Sequence, residues 1–329
     1  MKTFLKTCLS PVVRILLLCP VIFLSAQSTE YRLTEQTSRD VVAIAQALGA
    51  TKFVSYLTTT GLNTTLTGKG PFTVFLPLNE AFEHLSDEMK DNFKDTEFAR
   101  SVLQYHIAFG RYNITEFQDE ENLKSLYEDL PIRINLYRGG EIVTASGSDV
   151  SRSDINADNG VLHVIDRVIV MTPQFGSVAG LLSTPIFRYM YYGMIDGNLT
   201  GLLSGDEPIT VFAPTDVAFQ KLPPDQFKKL YMNSTAIRRM VKNHIVRGTF
   251  FTAGLYTGER LTTLDGQTLG VKTGNGNTTV DDAQIIIPDW TCTNGVVQVT
   301  TEVFMPPGLL QTVSTVNDEE DTHMVKSIG

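Results

Sequence analysis

The chain has 329 residues, with 27 Lys and Arg against 36 Asp and Glu and a formal charge of −9. So acidic a surface excludes nucleic acid and anionic membrane as natural partners. At about 150 residues per domain the length points to two domains, and the three cysteines are too few for a disulfide framework.

At the N-terminus Lys2, Lys6 and Arg14 precede the apolar run Ile15–Leu24, and small or polar residues follow at Ala26–Ser28. A charged start, a short apolar core and a small-residue exit predict a signal peptide over residues 1–26. The run is too short for a membrane span, which needs about 20 apolar residues, and no second one follows. The mature chain is therefore expected to be secreted. Cleavage would remove three basic and no acidic groups, taking the charge from −9 to −12. It would also remove Cys8 and Cys19, leaving Cys292 as a buried thiol. Five N-x-Ser/Thr sequons, at Asn63, Asn113, Asn198, Asn233 and Asn277, predict surface glycosylation along a secretory route.

The mature chain opens with two stretches of helical spacing, "RDVVAIAQALGA" and "TKFVSYLTTTG", which end at Gly49 and Gly61. "FTVFLPLNEAF" (Phe72–Phe82) then reads as a buried β-branched strand stopped at Pro77, followed by a helix that Asn79 would N-cap. "EFARSVLQYHI" is an amphipathic helix with Phe98, Val102, Leu103 and Ile107 on one stripe. The pattern then switches to period two through "PIRINLY", a turn at "RGGE", and "EIVTAS". "NGVLHVIDRVIVM" (Asn159–Met171) closes the series with a turn and a strand apolar on both faces, which marks a central strand.

The same series is then written again. "ITVFAPTDVAF" (Ile209–Phe219) repeats Phe72–Phe82, with Pro214 and Asp216 in the places of Pro77 and Asn79. "RMVKNHIVRGTF" repeats "SVLQYHIAFGRY", and "NGVVQVTTEVFMP" repeats "NGVLHVIDRVIVM". Between them lie a hairpin at Asp265-Gly266 and the strand "AQIIIPDW". Three blocks in the same order at nearly constant offset define a tandem duplication. The first copy runs from Ser38 to Met171 and the second from Phe175 to Pro307. The junction "TPQFG" is short, so the copies are expected to sit close together. Residues 308–329, which carry "DEED", are expected to be a disordered acidic tail. Helices first and strands afterwards is an α+β pattern.

These three blocks, each present twice, resemble the signature blocks of the fasciclin domain family across essentially the whole mature chain. The resemblance implies two consecutive domains, each a β-wedge of about seven strands with several helices. It also implies an extracellular matrix or cell-adhesion role, since the family's secreted animal members are of that kind. Two candidate adhesion sites come with it. One is the Tyr-His pair, here Tyr105-His106, with Asn243-His244 in the second copy. The other is the loop before each Asn-Gly, where some adhesive members carry Asp-Ile. The first copy keeps Asp154-Ile155, and the second reads Asp289-Trp290. A loop carboxylate suits the divalent cation of an integrin-like receptor; the competing reading is a turn-capping Asp beside a core side chain.

For chemistry the sequence offers little. His106 and His244 recur at matching helix ends, which favours structural residues over bases. His163 and Asp166 lie three apart with no nucleophile marked nearby. "DINADNG" fails as a calcium loop because its glycine falls one place late and Ile165 stands where the bidentate glutamate belongs. "GNGNTT" is a turn with a sequon. The expectation is a non-enzyme without cofactor or metal site, acting through cell-surface receptors or matrix proteins. The rival readings are an acidic matrix protein binding calcium or mineral, and a secreted hydrolase using His163 or His106.

Overall fold

The computed structural model describes residues 39–128, 130–170 and 176–309. The signal peptide, the junction except Gly176, and the "DEED" tail lie outside the described residues.

The first copy begins with helices α1 (Val41–Ala47), α2 (Thr51–Thr59) and α3 (Asn63–Leu66), followed by strand β1 (Phe72–Pro77). Helices α4 (Asn79–Glu83), α5 (Asp87–Asn92) and α6 (Thr96–Tyr105) come next. Strands β2 (Ile107–Phe109), β3 (Glu121–Lys124), β4 (Pro131–Tyr137), β5 (Ile142–Ala145), β6 (Ser148–Ala157) and β7 (Gly160–Ile165) complete it. The second copy repeats the plan with α7 (Val178–Leu182), α8 (Arg188–Asp196), α9 (Thr200–Leu203), β8 (Ile209–Pro214), α10 (Asp216–Gln220), α11 (Pro224–Tyr231) and α12 (Ser234–Asn243). It ends with β9 (Ile245–Arg247), β10 (Arg260–Thr262), β11 (Thr268–Gly274), β12 (Asn277–Val280), β13 (Ala283–Cys292) and β14 (Gly295–Thr300).

Each copy is thus an α+β domain around one seven-stranded sheet, in the order β2-β1-β7-β6-β5-β4-β3 and its counterpart β9-β8-β14-β13-β12-β11-β10. A single bridge, Ala108 to Ser125 in one and Val246 to Thr263 in the other, brings the two sheet edges together. The sheet is therefore nearly closed. The parallel central pairs β1–β7 and β8–β14 are buried along their whole length, which accounts for strands apolar on both faces.

The Asn-Gly pair ahead of each central strand does more than turn the chain. A Cβ on Gly160 would fall 2.3 Å from the Phe72 carbonyl oxygen, and one on Gly295 would fall 2.1 Å from that of Ile209. Only glycine lets the two central strands approach so closely. The neighbouring asparagine is a junction between elements. Asn159 accepts from the Val41 amide at 2.9 Å and donates to Leu66 O and Gly68 O at 2.6 and 2.8 Å. Asn294 repeats this with Val178 (2.8 Å), Leu203 (3.0 Å) and Gly205 (2.7 Å). One side chain thereby fixes the first helix and the loop entering the central strand.

The sequence reading of Asn79 and Asp216 as caps of their own helices needs correcting. Asn79 instead accepts from the Lys52 amide at 3.0 Å, and Asp216 from the Tyr189 amide at 3.1 Å. They cap the N-termini of α2 and α8, distant in sequence, and so tie the start of one helix to the first turn of another. Tertiary proximity overrode the local rule.

The two domains belong to one compact unit, and a polar joint connects them. Glu120 lies at its centre. Its carboxylate accepts from Arg133 Nη1 at 3.0 Å, from the Thr249 amide at 2.6 Å, and from Thr249 Oγ1 at 2.9 Å to each oxygen. Arg133 also donates to the Thr293 carbonyl at 3.0 Å. The Tyr137 hydroxyl donates to Thr249 O (2.8 Å) and accepts from the Phe251 amide (3.1 Å). Gly147 lets the Phe251 ring close in, since a Cβ there would lie 2.3 Å from it.

Candidate functional site

The loop before each Asn-Gly is part of the long strand β6 or β13, and in both it forms a β-bulge. Asp154 (φ 55°) and Asp289 (φ 61°) occupy the bulge in left-handed conformation, which aspartate tolerates better than most residues. Each carboxylate is held by a backbone amide from across the domain. Ile114 N donates to Asp154 Oδ1 and Thr252 N to Asp289 Oδ1, both at 2.8 Å.

A side chain on the central strand clamps each bulge from beneath. In the first domain His163 Nδ1 accepts from the Asp154 amide at 3.4 Å and Nε2 donates to Tyr112 O at 2.9 Å. In the second, Gln298 Oε1 accepts from the Asp289 amide at 2.9 Å and Nε2 donates to Phe250 O at 3.0 Å. The amide reproduces the acceptor and donor of a neutral imidazole. Both ring nitrogens of His163 are thus committed, and the ring stacks on Phe75 at 5.6 Å. Burial holds its pKa below the ordinary histidine value.

The two bulges differ in surroundings. Asp289 receives further bonds from Thr252 Oγ1, from Gln298 Nε2 at 2.8 Å and from Arg167 Nη1 of the first domain at 3.1 Å. Its side chain is only 10% exposed. Trp290 packs edge-on against Phe187 and lines a cleft of about 230 Å³ between Pro288–Thr291 and Arg167–Val170. Asp154 is half-buried, and its Oδ2 has no partner among the described residues. Ile155 is half-buried against the core of its own domain.

Tyr105 and His106 lie inside the first domain at 1% and 0% exposure. The Tyr105 hydroxyl donates to Pro131 O at 2.7 Å and contacts Ser146 Oγ at 3.0 Å; burial pushes its pKa up to about 12. His106 Nδ1 donates to Val102 O at 2.7 Å, and Nε2 accepts from the Ile169 amide at 2.9 Å. His244 is wired identically, to Met240 O at 2.9 Å and the Phe304 amide at 2.8 Å. Each histidine stitches a helix C-terminus to the chain segment that leaves the last strand. Cys292 is a buried free thiol with its pKa raised to about 12 by burial, and so is unreactive.

Burial lowers the pKa of both His106 and His244 to about 4. The unfolded chain takes up these protons near the ordinary value of 6.5, so their contribution is complete above pH 6.5 and is lost as pH falls toward 4. At about 1.4 kcal/mol per unit, lowering the pH from 7.5 to 5 should cost each domain about 2 kcal/mol. Denaturant melts at the two pH values test this. A His106→Gln, His244→Gln chain should lose most of the slope between pH 6.5 and 5, and an unchanged slope would show that other groups titrate.

The sequence pointed to both aspartates but not to Arg167, which with Thr252 and Gln298 seals Asp289, nor to the joint of Glu120, Arg133 and Thr249. The one available signal was Arg133 and Asn135 alternating with Ile132 and Ile134 in β4, which reads as a solvent-facing row; all four are buried.

The family model for the fasciclin domain matches residues 48–171 and 190–306. Transforming growth factor-beta-induced protein ig-h3 of Sus scrofa is 31% identical over 73% of this chain and 35% of its own length. Periostin of Homo sapiens is 27% identical over 84% of this chain and 33% of its own. The chain thus spans about a third of the length of these relatives. A solved FAS1 domain pair from the insect cell adhesion molecule fasciclin I aligns over 80% of this chain and 99% of that one, at 21% identity and a TM-score of 0.41.

Proposed function

The chain belongs to the fasciclin domain family, and from that membership we propose that it works outside the cell as a secreted matrix or cell-adhesion protein. The likeness to transforming growth factor-beta-induced protein ig-h3 and periostin supports this reading. Among the described residues no helix is long and apolar enough to cross a membrane. Two of the five sequon asparagines, Asn198 and Asn277, are exposed, and the other three are half-buried; we assign N-glycans to these sites.

The observation that carries the adhesive mechanism is the state of Asp154. It presents a carboxylate oxygen without a partner among the described residues, on a bulge braced by His163 and Ile114. Such an oxygen can complete the coordination of a divalent cation held by an integrin-like receptor, with Ile155 beside it as apolar support. Asp289-Trp290, Tyr105 and His106 have the bracing roles described above, so the contact is assigned to the first domain.

The test is attachment of cells to the secreted protein, with and without EDTA, before and after enzymatic removal of N-glycans. Asp154→Asn keeps the acceptor for Ile114 and the left-handed backbone while removing the charge. Attachment should be lost in EDTA and fall about tenfold in Asp154→Asn, a change of roughly 1.4 kcal/mol, with thermal unfolding unchanged. Attachment indifferent to both would sink the mechanism. Calcium or mineral binding through the acidic tail would then be the reading to pursue. Glycan removal should lower the mass whatever the attachment result; a constant mass would refute the glycan assignment.

A further inference from the structure

The duplication supplies an internal control for surface chemistry, because equivalent positions can be compared between the two domains. With β1 and β8 aligned, Glu80 matches Val217; with β6 and β13 aligned, Ser151 and Arg152 match Ile286 and Ile287. Gly49, just ahead of α2, matches Ile186. The first domain is polar or bare at these four exposed positions. The second carries four branched aliphatic side chains there, between 39% and 63% exposed. All four line one groove of about 560 Å³ between α10 and β13. Lone exposed apolar residues are ordinary, but a clustered set marks an interaction surface.

The rim of this groove is electrically balanced. Arg188 Nε pairs with Asp216 Oδ2 at 2.7 Å, and Lys221 Nζ with Glu302 Oε1 at 2.6 Å. Two positive and two negative groups thus surround an apolar floor, on a chain whose formal charge is −9. A two-fold contact requires a patch complementary to itself. Apolar floor on apolar floor, between two rims whose charges are already balanced, meets that requirement. Two acidic molecules would repel if they met at an acidic face, whereas this neutral patch admits the approach.

We propose that the groove of Ile186, Val217, Ile286 and Ile287 is the contact through which two copies of this chain form a dimer. The proposal is independent of the Asp154 adhesion site, which lies on the other domain.

Sedimentation equilibrium of the secreted full chain tests it. Wild type should pass from monomer to dimer with a Kd in the micromolar range. Val217→Glu with Ile286→Ser installs the residues that the first domain tolerates at the same places, and should weaken dimerisation at least tenfold. Ile287→Arg, again the first domain's own residue, provides a second variant should that pair fail to fold. A wild type that stays monomeric up to about 100 µM, a weak-association limit, would overturn the proposal and give the groove to a different protein. A dimer that persists in folded variants would overturn it equally.

Discussion

Glu120→Ala should convert the cooperative unfolding of the two domains into two separate calorimetric transitions. The prediction follows from what the carboxylate holds. It accepts from Arg133, whose side chain is 5% exposed, and three times from the Thr249 amide and hydroxyl of the other domain. Removing it leaves a guanidinium with, among the described residues, only the Thr293 carbonyl as partner. Stranding one member of a buried ion pair costs about 3–5 kcal/mol. That loss falls on the joint, because both cores lie elsewhere, so the domains should uncouple before either unfolds. Tyr137 and Asn135, which also bond to Thr249, should lose their geometry along with it. Differential scanning calorimetry of the wild type, Glu120→Ala and the exposed control Glu88→Ala would decide the matter. A Glu120→Ala trace that overlays the control would show that the joint carries no coupling.

Asn294→Ala should destabilise the second domain by about 3–5 kcal/mol, a large part of the stability of an ordinary domain. The asparagine is 4% exposed and makes three side-chain bonds, to the Val178 amide and the Leu203 and Gly205 carbonyls. Alanine leaves all three groups short of a partner, two of them in buried bonds. Each such group costs about 1–3 kcal/mol, offset in part by carbonyls that turn toward solvent. Local rigidity opposes that escape, because Gly295 pins the strand against Ile209. Read in the Glu120→Ala background, where the second domain melts separately, the midpoint of its transition should fall by roughly 10–20 °C. Lys229→Ala, exposed on α11, serves as the control. A loss below about 1 kcal/mol would mean that the three groups find other partners, and the junction role would be withdrawn.

The secondary structure was legible because period and punctuation agree. The Thr-Val-Phe strands, the Asn-Gly turns and the central strands apolar on both faces all stand where the sequence puts them, twice over. The duplication itself was the strongest signal, since a repeat of fixed offset does not depend on any single propensity. What stayed hidden has a common physical character. Asn79 and Asp216 obey a local capping rule on paper, yet are taken by helices that only the fold brings near. Arg133 and Asn135 look like the wet face of a strand, and are dry because a second domain covers them. Asp154 and Asp289 were equivalent in sequence; an arginine 122 residues away in the chain makes them different. Local pattern records what a residue does for its own element, whereas contacts between elements leave almost no trace in it.

The exchange of His163 for Gln298 bears on descent as well as on structure. After the ancestral domain was copied, this position was free to change its letter provided that it kept one acceptor toward the bulge and one donor toward the opposite loop. What was inherited is a wiring diagram, and the residues are interchangeable parts that satisfy it. Asn159 and Asn294 remained the same because one amide must there serve three partners, and no other side chain of that size offers the same set. The rate at which a position drifts between such sisters is therefore set by how many chemical groups can complete its circuit, and buried positions need not be the slowest to change.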